Sequence, residues 1–200
     1  MSSMTPPASA HTTRHIVWHR AEEPGIEHLY LREDSEHVSA DGMIVGMIDG
    51  QLFRLRYEVQ CDATYQFQSV NVQMLQPFQQ TLTLERADDG IWRDGDQNVL
   101  HDLAGAYDID LSASPFTNTL SIRRLNLQLD QPTEILVAFI ELPAFTVRPE
   151  RQRYTLTHAS SEYNIYHFEH LSTGYTEDIR VDAAGFVIDY PGLFQRVHTQ

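Results

Sequence analysis

Hydrophobic and polar positions alternate with a period of two through most of this chain. In residues 52–59, Phe53, Leu55, Tyr57 and Val59 share one face while Arg54, Arg56 and Glu58 share the other, the pattern of a half-buried strand. Residues 43–48 precede it across Asp49-Gly50. That pair predicts a tight hairpin, because a type I′ turn needs positive φ at both central residues. Tyr65 and Phe67 occupy one phase and Val70, Val72 and Met74 the other, so a β-bulge is expected near Ser69. The same period predicts strands in 81–86, 107–111, 125–129, 151–158, 163–168 and 175–181, separated by turns rich in Asp, Gly and Pro.

One segment departs from simple alternation. In 134–141, Ile135, Val137 and Phe139 on one phase face Leu136, Ala138 and Ile140 on the other, which predicts a central strand covered on both sides. No stretch of a dozen residues keeps the i, i+3, i+4 spacing of an amphipathic helix, and 98–103 is expected to form a single short turn. The residues therefore predict a mostly β, antiparallel protein with little helix. Roughly ten or more strands follow from one strand per 8–12 residues, in a sheet rolled or closed to protect its edges.

With 200 residues and no internal repeat, the chain fits one domain. Its first fourteen residues are rich in Ser, Thr, Pro and Ala and read as a disordered leader, leaving 15–198 as the domain. They carry neither a basic start nor an apolar run, and nowhere do about 18 apolar residues follow one another as a membrane span requires. The expectation is a soluble, cytoplasmic protein without an integral membrane segment. Net charge is −14 and all 14 basic residues are arginine, a balance that argues against nucleic acid as a partner, since a phosphate backbone needs a dense basic face. Cys61 is the single cysteine, so intrachain disulfides and cysteine-rich zinc sites are excluded. The sequence sets no oligomeric state.

Candidate chemistry is sparse. His167, Glu169 and His170 form the densest metal-type cluster, but on a strand His170 points away from the other two, and no metal site or cofactor is expected. No Gly-x-Ser-x-Gly elbow occurs, and Cys61 at the end of an alternating strand reads as inert packing. Asp108 and Asp110 share a strand face; they are either the wet side of that strand or acids neutralised by arginine. The least ordinary stretch is 108–125, where Ser112, Thr117 and Asn118 lead to Arg123 and Arg124. A second basic cluster holds Arg148, Arg151, Gln152 and Arg153. Guanidinium forks suit carboxylate, phosphate and sugar oxygens, so these nine residues are the candidate ligand-binding set. The competing account pairs the arginines with Asp108, Asp110, Glu141 and Glu150 to tie strands together.

Five stretches together carry a family resemblance: Trp18-His-Arg with 24–28, 53–57, 110–125 with its Pro-Phe-Thr-Asn-Thr phrase, 147–154, and 187–194 with Asp-Tyr-Pro-Gly-Leu-Phe. From about residue 16 to 197 the chain resembles a bacterial family of glycolipid-binding proteins, formerly classed as a domain of unknown function. The resemblance implies a spiral β-roll, an open antiparallel sheet curled like a half barrel, similar to carriers of bacterial lipoproteins and lipids. It carries over no catalytic residue. Its implication is that a glycolipid or other amphiphile is held in the curled sheet, with the arginine- and hydroxyl-rich segments at its mouth. Two other classes stay open: an isomerase or hydrolase of a small hydrophobic substrate using Asp108, Asp110 or Glu141, and a protein-interaction scaffold without a ligand.

Overall fold

The computed structural model describes residues 11–48 and 50–200. Fourteen strands form one sheet: β1 (Thr12–Arg20), β2 (Gly25–Glu33), β3 (His37–Ile48), β4 (Gln51–Asp62), β5 (Phe67–Gln76), β6 (Gln80–Arg86), β7 (Trp92–Asp94), β8 (Asp108–Leu111), β9 (Thr133–Glu141), β10 (Thr146–Ala159), β11 (Tyr163–His170), β12 (Tyr175–Asp182), β13 (Val187–Tyr190) and β14 (Phe194–Thr199). One helix, α1 (Phe116–Leu125), lies between β8 and β9. The spatial order runs β7 to β1, then β14 back to β8, so the first and last strands pair in the middle of the sheet. Every neighbour is antiparallel except β8 and β9, which run parallel. No helix among the described residues is long and apolar enough to cross a membrane.

The sheet stays open but curls until its ends nearly meet. The carbonyl of Ala106, just before β8, accepts hydrogen bonds from the Arg86 and Trp92 side chains of β6 and β7, while Tyr107 N–H donates to Leu136 of β9. The two edge strands are only three and four residues long, which limits the unpaired backbone available for edge-to-edge association. The expected mostly β, open roll is the fold observed. The leader expected over 1–14 falls, for residues 1–10, outside the described residues, and β1 already takes up Thr12 to Arg14.

Local expectations fare unevenly. Ile48 pairs with Gln51 and Gly50 has φ +77°, as the hairpin requires; Asp49 lies outside the described residues. Gln60 pairs with Ser69 but Cys61 with Phe67, so Gln68 is the bulged residue beside Ser69. In β9, Val137 and Ala138 point to opposite faces and both are inaccessible, although the strand sits one in from the edge rather than at the centre. Residues 125–129 are not a strand: they finish α1 and its exit loop, with Leu129 making an isolated bridge to Leu156. The short turn predicted in 98–103 is a 3-10 turn at His101–Leu103.

The helix α1 is absent from the hydropathy pattern for a physical reason. Every residue from Phe116 to Ile122 is buried, so no polar stripe marks one side, and its Thr, Asn and Ser are weak helix formers. Pro115 opens it and Asn126, in the left-handed region at φ 45°, closes it. Its ring and amide touch both walls of the roll: Phe116 stacks on Tyr57 of β4, with centroids 6.4 Å apart, and Asn118 accepts from Tyr154 of β10. The concave side is thus filled by a helix, with one apolar cluster around β1–β5, β8 and Phe116 and another around β10–β14.

Candidate functional site

A parallel strand pair cannot be joined by a hairpin, so the chain crosses from β8 to β9 through α1. The carboxyl ends of β8 and β9 then lie beside the first turn of the helix, the place where crossover units elsewhere bind ligands. A cavity of about 170 Å³ opens there. One wall comes from this unit: Asp110, Ser112 and Ser114 after β8, Asn118 on α1 and Phe139 on β9. The facing wall is built by two hairpin ends. Tyr175 sits opposite His170 where β11 turns into β12, and Tyr190 opposite Phe194 where β13 turns into β14 through Gly192 at φ +72°.

This second wall is aromatic. Phe168, Tyr175 and Tyr190 have mutual centroid distances of 6.4, 6.2 and 6.5 Å, and the Phe194 ring adjoins Tyr190 at 6.4 Å. Such rings offer flat apolar faces to a bound group. Asp110 supplies the charge: Oδ1 accepts from Thr117 Oγ1 at 3.2 Å and Oδ2 from Gln152 Nε2 at 2.5 Å. Burial outweighs these two hydrogen bonds and holds its carboxyl above the usual range. His170 shares the cavity, with Nε2 3.8 Å from Glu150.

Behind the first wall lies a second buried acid. Glu27 on β2 accepts from Tyr57 Oη at 2.5 Å and from Ser114 Oγ at 2.8 Å. Its other oxygen is inaccessible and without a hydrogen-bond partner. Desolvation pushes its carboxyl up to about 7 against the two hydrogen bonds.

The nine candidate residues separate into different environments. Ser112 and Asn118 line the cavity, and Thr117 and Gln152 hold Asp110 from behind. The arginines do not gather at its mouth. Arg124 clamps the inaccessible Asp108 through Nε and Nη2, at 2.6 to 3.1 Å. Arg123 sits near the other end of α1, donating to the Ala184 carbonyl and lying 4.1 Å over the Tyr65 ring. Arg148 bridges Glu141 and Glu150, while Arg151 and Arg153 both pair with Glu134. Only Arg124 and Arg148 meet acids that the strand-tie account named, Asp108, Glu141 and Glu150; Arg151 and Arg153 tie to Glu134 instead, and Arg123 to a turn carbonyl. Asp108 and Asp110 are not a simple wet face either: Asp108 is inaccessible against Ser121 and Arg124 of α1, and Asp110 is half-buried, bonded to Thr117 of α1 and Gln152 of β10.

His167 pairs with Asp178 and Glu169 with Arg153, on the face away from His170. Among the described residues no three His, Cys, Asp or Glu side chains are placed to hold a metal. Cys61 is buried, and desolvation raises its thiol far above the usual range, consistent with inert packing. Sequence reasoning missed the aromatic wall, although its Tyr190-Pro-Gly-Leu-Phe194 portion lay in a stretch already singled out as distinctive.

Compared with known proteins, the chain matches the family model described as "Putative glycolipid-binding" over residues 15–196. It is also similar to the crystal structure of a DUF1089 family protein from Pseudomonas aeruginosa, at 30% identity and a TM-score of 0.74, covering 98% of this chain and 99% of that one. No curated protein matches it significantly. Since the family model spans from β1 into β14 and takes in both walls of the cavity, the chain belongs to the family so described, "Putative glycolipid-binding".

Proposed function

We propose that the protein binds the head group of an amphiphile, in the first instance the sugar ring of a glycolipid, in the aromatic cavity beside α1. The observation that carries this reading is the pairing of three mutually packed rings, Phe168, Tyr175 and Tyr190, with the Asp110 carboxylate across one small cavity. Sugars bind by stacking their C–H faces on rings while their hydroxyls donate to fixed acceptors. The cavity, about 170 Å³, is below the roughly 300–1,000 Å³ of sites that enclose a whole drug-sized ligand. It suits a head group, with any acyl chain left outside, because α1 occupies the concavity that a chain would otherwise fill. The family's name supports a glycolipid as the class.

The test is titration of the full chain with n-octyl-β-D-glucoside below its micelle concentration, followed by intrinsic fluorescence. A saturable change that Tyr175→Ala weakens supports the proposal. No saturable change, or one indifferent to Tyr175→Ala, overturns it.

A second reading has one observation in its favour. Asp110, with its raised pKa, and His170 line the same cavity, as a general acid and base do in enzymes. On that reading Asp110→Asn abolishes turnover of the bound sugar derivative while leaving its binding measurable.

A further inference from the structure

We infer that the cavity selects a positively charged head group, an amine-bearing sugar or another organic ammonium. The inference rests on the head-group reading above and names the sign of the charge, which the arginine-rich segments of the sequence had suggested was negative on the ligand.

Apart from the Tyr175 and Tyr190 hydroxyls and the His170 ring, the hydrogen-bonding capacity left on the polar side chains of the cavity is that of an acceptor. Asn118 is committed at both ends, its Oδ1 to Tyr154 and its Nδ2 to the Pro115 carbonyl. Ser112 Oγ is engaged with the backbone N–H and carbonyl of Leu142, and Ser114 Oγ donates to Glu27. Asp110 holds one donor on each oxygen, and a carboxylate oxygen has a second lone pair to offer. The His170 ring lies by its Nδ1 against the hydroxyls of Ser172 and Thr173.

No arginine lines the cavity. Two stand behind its rings, Arg148 at 4.6 Å from Phe139 and Arg20 at 5.6 Å from Phe194. Arg148 is paired with Glu141 and Glu150; Arg20 lies 3.6 Å from Glu23 through Nη2, while its Nε and Nη1 are buried without a hydrogen-bond partner. What faces a ligand is therefore the Asp110 carboxylate and the negative faces of Phe168, Tyr175 and Tyr190, with the His170 ring beside them. A phosphate or sulfate would meet repulsion from both, whereas an ammonium is attracted by both. The overall charge of −14 acts in the same direction by concentrating cations near the surface. The burial that raises the Asp110 pKa is the expected state of a carboxylate whose counter-charge arrives with the ligand.

Calorimetric titration of the full chain with two matched pairs separates charge from shape: choline against 3,3-dimethyl-1-butanol, and D-glucosamine against D-glucose, at neutral pH. Each cation is expected to bind about tenfold or more tightly than its neutral partner, as aromatic faces and a carboxylate together provide. Asp110→Asn, nearly isosteric, should abolish that preference, and Tyr175→Ala, at the cavity rim, should weaken both cations. Equal affinities within each pair, or a preference that survives Asp110→Asn, overturn the inference. Octyl glucoside binding without cation preference would sink the charge assignment and leave the glycan reading standing. Choline preference with no sugar bound would do the reverse, and failure of every probe to bind would remove both.

Discussion

Ser114 Oγ donates a 2.8 Å hydrogen bond to Glu27 Oε1, joining the turn before α1 to a strand 87 residues away. The serine lines the cavity and the glutamate lies wholly behind it, so the wall of the site is anchored on an acid that water does not reach. The consequences of that arrangement are measurable.

Glu27 should make the protein lose stability as the medium becomes less acid. Its carboxyl is raised from 4.5 to about 7 in the folded chain, so the native state holds this proton more tightly than the unfolded state. Stability then declines as pH climbs from 4.5 to about 7 and levels off above. The span corresponds to something on the order of 3 kcal/mol. Urea melts of wild type and Glu27→Gln across this window should show a slope in the first that is missing from the second. Parallel curves would mean that Glu27 is ionised throughout.

Gly42 makes room for the partner of Glu27. A Cβ on Gly42 would lie 2.0 Å from Tyr57 Cζ and 2.5 Å from its hydroxyl, in the middle of a ring that stacks on Phe116. Gly42→Ala should therefore cost about 1–3 kcal/mol or more, as overpacking of a core does. Gly50→Ala provides the contrast, since nothing lies within 4 Å of a Cβ there and the only penalty is its positive φ. Thermal melts that rank the two equally would show that Tyr57 moves aside freely.

Arg124 is required because Asp108 is inaccessible. Removing the guanidinium leaves a buried carboxylate with Ser121 as its remaining side-chain donor, and breaking a buried pair in this way typically costs about 3–5 kcal/mol. Arg124→Met should destabilise by that order, and Asp108→Asn in the same chain should recover part of it. Denaturant midpoints of the two single variants and the double variant give the comparison.

Arg151 should matter for neither stability nor binding. Its side chain is 69% exposed and its Glu134 partner 40%, and pairs so exposed contribute about 1 kcal/mol or less. Arg151→Ala is expected to melt within a degree or two of wild type and to bind octyl glucoside unchanged. A large loss of binding would return this arginine to the mouth of the site.

How much of this was legible beforehand depended on range. Alternation in Phe53, Leu55, Tyr57 and Val59 marked a strand because one face of a pleated sheet is covered, and that signal is local. Asp49-Gly50 and the irregularity near Ser69 were equally readable, since turn and bulge chemistry depend on a few adjacent residues. The period of two thus determined a mostly antiparallel β protein and most of its strands, while the openness of the sheet was implied by the family resemblance alone.

The site was decided elsewhere. Alternation states which residues share a face but not which faces meet, and Asp110 meets Tyr175 and Tyr190 across one cavity only because the sheet rolls around α1. That helix carries no stripe, being buried on every side, and so left no periodic trace. The arginines of 123–124 and 148–153 looked like one basic mouth in sequence; in the curled sheet each has a carboxylate or carbonyl partner, Glu134 being shared by Arg151 and Arg153. Desolvation, which sets the chemistry of Glu27 and Asp110, is a property of everything packed around a group, and no short stretch of chain contains it.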